Sequence, residues 1–220
     1  MTPLEFKFLY EDETINDRTI VEFLSEGTMT EVGFYSQLFS KGSPLKPHNT
    51  LTFKEAKKTG NDKGVSDPIT LVNLAKREID NNHDFDKNKD KIIITFDLDR
   101  VEDDNRLNEL KSLKEPYIIY CFTNPKFEMY MLLTLLDDLS DLEREYYEKG
   151  FPNNILERNF SNIAHHNSKT KGAGIFVAKN VQHALAISKY DSNRLSLNNS
   201  FFTNVNLLIN AIIDGSIVDW

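Results

Sequence analysis

The sequence predicts an α/β domain on a mainly parallel sheet of about four strands flanked by helices, with further helices at the C-terminal end. Two observations carry this. Short apolar runs alternate along the chain with stretches of helical periodicity. The clearest runs, KIIITF (91–96) and YIIYCF (117–122), are apolar throughout rather than at every second residue, as strands covered on both faces are. The 220-residue chain is 40% hydrophobic, enough to bury one large core and too apolar for a disordered polymer.

The elements follow in order. Residues 1–18 form an N-terminal segment, and 19–220 read as one domain whose part from about 137 to 220 is helical. Thr19 to Leu24 (TIVEFL) is the first strand. It runs through Ser25-Glu26-Gly27 into a helix with Phe34, Tyr35, Leu38 and Phe39 on one face. Thr28 or Thr30 is the expected cap, with Glu31 in the first turn. KGSPLKPHNT ends that helix. LTFKEA is a short strand, and KKTGNDKGVSDP a loop. Asp67-Pro68 opens the next helix, the acid at the cap and the proline at the first helical position. ITLVNLAKREI continues it, and NNHDFDKNKDK breaks it.

KIIITF then ends in Asp97-Leu98-Asp99. A charged helix spans roughly 103–113. YIIYCF leads into a turn at Thr123-Asn124-Pro125 and an apolar helix over 127–136. DDLSDLEREYYEKGFPNN is acidic and helical in part, HHNSKTKGAG reads as a polar loop, and two more helices lie near 177–190 and 203–213. Phe34, Phe39, Phe122, Phe127 and Phe202 read as core.

Composition narrows the function. With 26 basic against 34 acidic residues the net charge is −8, so bulk charge does not hold nucleic acid; metal ions on clustered carboxylates would be needed locally. The single cysteine, Cys121, excludes an intrachain disulfide and a multi-cysteine zinc site. It sits in an apolar run and reads as a packed residue. No apolar run is long enough to span a bilayer, and the first residues lack the basic start and apolar stretch of a signal peptide. A cytoplasmic protein is expected.

Ligands of parallel sheets gather at the carboxyl ends of strands, and the order of elements puts Glu26, Asp97, Asp99 and Asn124 there. Asp97 and Asp99, two apart on an extended segment, point to one side. If their strand neighbours that of Glu26, three carboxylates converge, and they do not all stay ionised without a counter-charge. Mg²⁺ or Mn²⁺ is the usual partner of an all-oxygen cluster. Glu31 and Glu128 each occupy a first helical turn, where a carboxylate favours the helix dipole or joins the site. Asn124 is a turn residue or faces the cluster. Lys54, Lys57, Lys58 and Lys63 form a basic stretch that is a solvated loop or a set of phosphate contacts. His165, His166, Lys169 and Lys171 form a second polar stretch. The adjacent histidines lack zinc-site spacing, and an exposed loop is the expectation. No G-x-x-x-x-G-K-[ST] loop is present, so any ATP dependence belongs to a partner.

Several segments together resemble the RloB-like proteins. IVEFLSEGTMTEVGFYSQL is similar to that family's strand, E-G-x-x-T-E turn and helix with an aromatic pair, with Glu26-Gly27, Thr30-Glu31, Phe34 and Tyr35 in the pattern. SDPITLVNLAK (66–76) resembles its S-D-P-x-x-L-V helix start. FDLD (96–99) looks like its D-x-D, and TNPKFEMYMLL (123–133) its S-N-P-x-F-E-x-W-x-L-L signature. FFTNVNLLINAI (201–212) resembles its closing helix. Thr123, Lys126, Tyr130 and Thr134 stand where Ser, Cys, Trp and His are usual.

The resemblance implies a Toprim-like fold with a four-stranded parallel core. It also implies Glu26 as general acid/base or metal ligand and Asp97 and Asp99 as metal ligands. The function it implies is a metal-dependent nuclease of RNA, possibly tRNA, or DNA, acting in anti-phage defence beside an ABC- or AAA-type ATPase. Glu31 and Glu128 are the further catalytic candidates, and Lys54, Lys57, Lys58 and Asn124 those for nucleic-acid contact. Two alternatives are a catalytically silent Toprim-like subunit serving the ATPase and a phosphotransferase using the same acids.

Overall fold

The computed structural model describes residues 5–10, 18–40, 42–58, 60–150, 152 and 154–220, with backbone alone at 5–10, 57 and 61. Six strands are present among these: β1 (Glu5–Tyr10), β2 (Thr19–Ser25), β3 (Leu51–Lys57), β4 (Lys91–Asp97), β5 (Ile118–Asn124) and β6 (Phe202–Thr203). They form one sheet in the order β1-β3-β2-β4-β5-β6. The four central strands pair in parallel, while β1 and β6 flank them antiparallel. The parallel core is the expected one. The two edge strands are additions, one from within the N-terminal segment and one from the part read as helical.

The helices are α1 (Thr30–Leu38), α2 (Pro68–Asp80), α3 (Asp104–Ser112), α4 (Phe127–Leu133), α5 (Ser140–Glu148), α6 (Ile155–Ala164), α7 (Lys171–Lys179), α8 (Val181–Leu185) and α9 (Val205–Asp214). Side chains alternate along the strands. Val21, Phe23, Ile93, Ile119 and Cys121 point into a core shared with α1, α4, α6, α7 and α9. Leu24, Ile92, Ile94, Ile118, Tyr120 and Phe122 point into a second core under α2 and α3. Helices on both faces are why β4 and β5 are apolar along most of their length. All five phenylalanines expected in the core are buried, three in the first cluster and two, Phe122 and Phe202, in the second.

Local signals explain some helix starts. Asp67 caps α2, its carboxylate accepting from the Thr70 N–H at 2.9 Å. Pro68 fills the first helical position. Asp103 caps α3. Several boundaries differ from the sequence reading. Thr28 and Thr30 cap nothing: α1 starts after Met29 with no side-chain cap, and the Thr30 hydroxyl donates to the Ser168 carbonyl at 2.6 Å. The apolar helix after β5 stops at Leu133 rather than 136, and α7 already begins at Lys171 inside the segment read as loop. The helix expected over 177–190 is instead the end of α7 and the short α8, divided at Asn180.

Two contacts carry the C-terminal half onto the sheet. Helices α1 and α7 cross at glycines: a Cβ on Gly174 would lie 1.9 Å from the Thr30 carbonyl oxygen, and one on Gly33 would lie 2.4 Å from that of Lys171. Only glycine permits such an approach. Asn204 grips β5 with its amide, donating to the Tyr120 carbonyl at 2.7 Å and accepting from the Phe122 N–H at 2.8 Å. Among the described residues no helix is long and apolar enough to cross a membrane.

Candidate functional site

The β2–β4 and β4–β5 registers place Ser25 opposite Thr95 and Asp97 opposite Thr123. The carboxyl ends of three parallel strands therefore meet at one edge. Glu26 is the first residue beyond β2. Its N–H donates to the Thr95 carbonyl at 2.8 Å, and its carboxylate accepts from the Asp97 N–H at 3.0 Å. Asp97 ends β4 and accepts from the Thr123 hydroxyl at 2.9 Å and from the Phe127 N–H of α4 at 2.8 Å. Asp99 lies in the 3₁₀ turn that follows, its N–H donating to the Pro125 carbonyl at 3.2 Å.

Glu31 on α1 folds back against the chain after β2: a Cβ on Gly27 would lie 2.0 Å from its carboxylate. The Glu26-Gly27…Glu31 spacing thus has a steric reason. Glu128, in the first turn of α4, is buried. These five acids line one cavity of about 330 Å³.

Cations interleave with them. Arg100 lies 3.4 Å from Glu26 and 3.8 Å from Asp99. Lys126 lies 3.4 Å from Asp99 and 3.8 Å from Glu157 of α6. Lys169 pairs with Glu128 and, at 3.5 Å, with Glu157. The Lys58 ammonium donates to the carbonyls of Glu26 and Val65, and Lys63 lines the cavity mouth.

The acids resist ionisation. Burial pushes Glu26 up to about 7; the Asp97 N–H and Arg100 oppose the rise, and Glu31 and Asp99 add to it. Burial, followed by the charges of Glu26 and Glu128, holds Asp97 well above the usual carboxylate range. Glu31 is raised by burial and by Glu128. Burial lowers Lys58, against the pull of Glu26 and Glu31. Carboxylates that repel one another in this way favour a multivalent cation. They offer oxygen only, the donor type that Mg²⁺ and Mn²⁺ take. Among the described residues no group of three or more His, Cys, Asp and Glu side chains is arranged to hold a metal ion.

All five candidate acids therefore share one cavity, but the nucleic-acid candidates are scattered. Lys54 lies inside β3 opposite Glu22, and its charge bears on that buried carboxylate. It is not part of a loop. Lys57 ends β3, and its side chain lies outside the described residues. Lys58 reaches the turn after β2, as above. Asn124 does not face the cluster: its amide donates to the Asn198 carbonyl at 3.0 Å and to the Ser200 carbonyl at 2.5 Å. Strand parity explains this, since Thr123 points at Asp97 and its neighbour must point away.

Sequence reasoning missed Arg100 and Glu157. Arg100 directly follows the D-x-D. Glu157 has no local signal and arrives through the packing of α6 on α4. Lys126, noted as a departure from the family pattern, and Lys169, read as loop, both stand in the site. His166 leaves the cavity alone and packs on Phe176, ring centroids 4.9 Å apart. Cys121 is buried, 3.3 Å from the Tyr35 hydroxyl, and burial pushes its thiol up to about 11, which suits a packed residue.

No curated protein and no solved structure matches the chain. The model of the RloB-like protein family matches residues 23–212, and the chain belongs to that family.

Proposed function

We propose that this protein is a divalent-metal-dependent endonuclease. It hydrolyses phosphodiester bonds of RNA, tRNA included, or of DNA, and acts in the cytoplasm in anti-phage defence with a partner ATPase of ABC or AAA type. One observation carries the catalytic part: five carboxylates from separate elements converge on one cavity at the strand ends. The partner and the defence role rest on the Toprim-like character implied by the family resemblance.

In this reading Glu26, Asp97 and Asp99 hold Mg²⁺ or Mn²⁺. Such an ion, when bound, polarises a phosphate oxygen and makes water a better nucleophile at neutral pH. The remaining work falls to the chain. Thr123 and the Phe127 N–H fix the Asp97 carboxylate in one orientation. Where Glu26 is not itself on the ion, its acidity, pushed up to about 7, suits it to exchange a proton near neutral pH, as a general acid or base must. Glu31 and Glu128 set the charge around these acids. Arg100, Lys126 and Lys169 are positioned to meet a phosphodiester; Arg100 and Lys126 would then leave Glu26 and Asp99 to the ion.

The interleaved cations also favour a second reading. Arg100, Lys126 and Lys169 already neutralise much of the acid cluster, as a silent binding subunit of an ATPase complex would have it. One experiment separates the two. The purified chain, with and without the co-expressed ATPase, is incubated with end-labelled RNA and DNA in Mg²⁺, Mn²⁺ or EDTA. New ends that need metal and vanish in Asp97→Asn support the nuclease. Bound but uncut nucleic acid in every arm supports the silent subunit.

A further inference from the structure

Glu157 stands behind the carboxylate cavity and meets two of the cations that line it. It lies in the first turn of α6, whose Ile155, Leu156 and Phe160 are buried in the first core. Its Oε1 is 3.8 Å from the Lys126 ammonium and 3.5 Å from that of Lys169. Its Oε2 is buried and has no hydrogen-bond partner among the described residues. One oxygen therefore serves two ammonium groups, and the other has room for a donor.

Lys126 is held between two acids. Its ammonium is 3.4 Å from Asp99 and 3.8 Å from Glu157, both longer than the roughly 2.7–2.9 Å of a close ammonium–carboxylate bond. The backbones that carry the two acids are fixed. The Asp99 N–H donates to the carbonyl of Pro125, the neighbour of Lys126, and α6 packs on α4. Between them runs a flexible four-carbon stem. The Lys126 side chain is only 13% exposed, so water does little for an ammonium that leaves Asp99. A buried charge that loses its partner is costly, and the open oxygen of Glu157 offers a replacement.

A carboxylate that ligates a divalent cation cannot keep a lysine as close partner, because the two positive charges repel. We infer that Glu157 is a positioning residue that takes up Lys126 when a divalent cation takes Asp99. In the metal-free chain Lys126 shares its charge between the two acids. As the cation arrives Lys126 moves onto Glu157, and the exchange leaves no buried charge unpaired. Lys169, between Glu128 and the same Glu157, keeps its partners. A carboxylate in a first helical turn also favours the helix dipole. That role accounts for a charge at this position, but not for two ammonium groups from different segments converging on it. The inference rests on the metal-binding part of the proposed function and needs no cleavage.

The test is Mn²⁺ binding by the full chain without nucleic acid, read from the electron paramagnetic resonance of the free ion, so that hydrolysis plays no part. Glu157→Gln should weaken Mn²⁺ binding about 10- to 100-fold, the order of effect expected when a partner outside the ligand set is lost. Lys126→Met removes the competing ammonium and should tighten binding. In that background Glu157→Gln should lose most of its effect, a coupling that the double-mutant cycle measures. Equal weakening in both backgrounds overturns the inference, since it reports only the charge of Glu157 acting on the ion. A fall in melting temperature with unchanged Mn²⁺ affinity also overturns it and leaves Glu157 as a helix-dipole group. If Glu157→Gln does not fold, Lys126→Met decides alone: binding no tighter than that of the unaltered chain overturns the inference. Failure of the unaltered chain to bind Mn²⁺ defeats the metal-binding reading and this inference with it; binding with additive effects defeats this inference alone.

Discussion

Glu22 and Glu26 lie four residues apart, one inside β2 and one just past its end. Burial pushes both up to about 7. Glu22 sits in the middle of β2, 1% exposed, with no hydrogen bond to its carboxylate among the described residues. Lys54 draws it down and Asp90 pushes it up. Glu26 sits past the strand end, bonded to the Asp97 N–H, close to Arg100 and open to a cavity shared with four other acids. The same perturbed acidity therefore has two meanings. In the strand interior it is a cost of folding, and at the strand end it accompanies convergent groups and access. Perturbed acidity points to function only with such geometry.

The largest expected effect tests the strand-end half of this comparison. Asp97→Asn should abolish metal-dependent cleavage while the protein stays folded, because the amide oxygen still accepts from Thr123 and Phe127. Cleavage assays and circular dichroism on one preparation check it; normal cleavage would remove Asp97 from the machinery.

The next pair sets the two glutamates against each other. Each is protonated more readily in the folded than in the unfolded chain, so the folded state binds more protons. Stability therefore falls as pH rises from about 4.5, the ordinary value, to about 7. The loss is at most about 3 kcal/mol for each group, at about 1.4 kcal/mol per pH unit. It is absent below that window and complete above it. Glu22→Gln and Glu26→Gln should each flatten the stability profile across the window, measured by urea denaturation. Only Glu26→Gln should lose activity. Equal activity loss in both would break the comparison.

A smaller effect is expected at Glu128. Its buried carboxylate holds Lys169 at the cavity wall. Glu128→Gln should lower activity about 10- to 100-fold, the order of effect expected when a group that fixes its neighbours around a metal site is lost. A small fall in melting temperature with full activity would return Glu128 to a helix-dipole role.

The smallest effect on activity belongs to Asn124, whose amide ties the loop at 198–200 to the end of β5. Asn124→Ala leaves two carbonyls without that donor and should cost about 1–3 kcal/mol of stability. Nucleic-acid affinity should change little. A large fall in affinity with unchanged stability would restore Asn124 to the substrate surface.

Much of this was legible in the sequence, for local reasons. The apolar runs of β4 and β5 have to lie in the centre of a covered sheet. Asp67-Pro68 carries its own helix start. Glu26, Asp97 and Asp99 follow strand ends, and parallel pairing brings strand ends together. Gly27 belongs to the same local logic, since Glu31 returns on it within one helical turn.

What only the tertiary structure decided depends on parity and long-range packing. Strand parity turns Lys54 towards Glu22 and Asn124 away from Asp97, and the register that fixes this comes from neighbours distant in sequence. Lys169 and Glu157 reach the site because Gly33 and Gly174 let α1 and α7 touch and because α6 packs on α4. The sequence by itself determined which acids meet, because backbone pairing in a parallel sheet needs no particular side-chain partner. The cations and the two edge strands were decided only by the closed structure, because each depends on segments distant in sequence coming together.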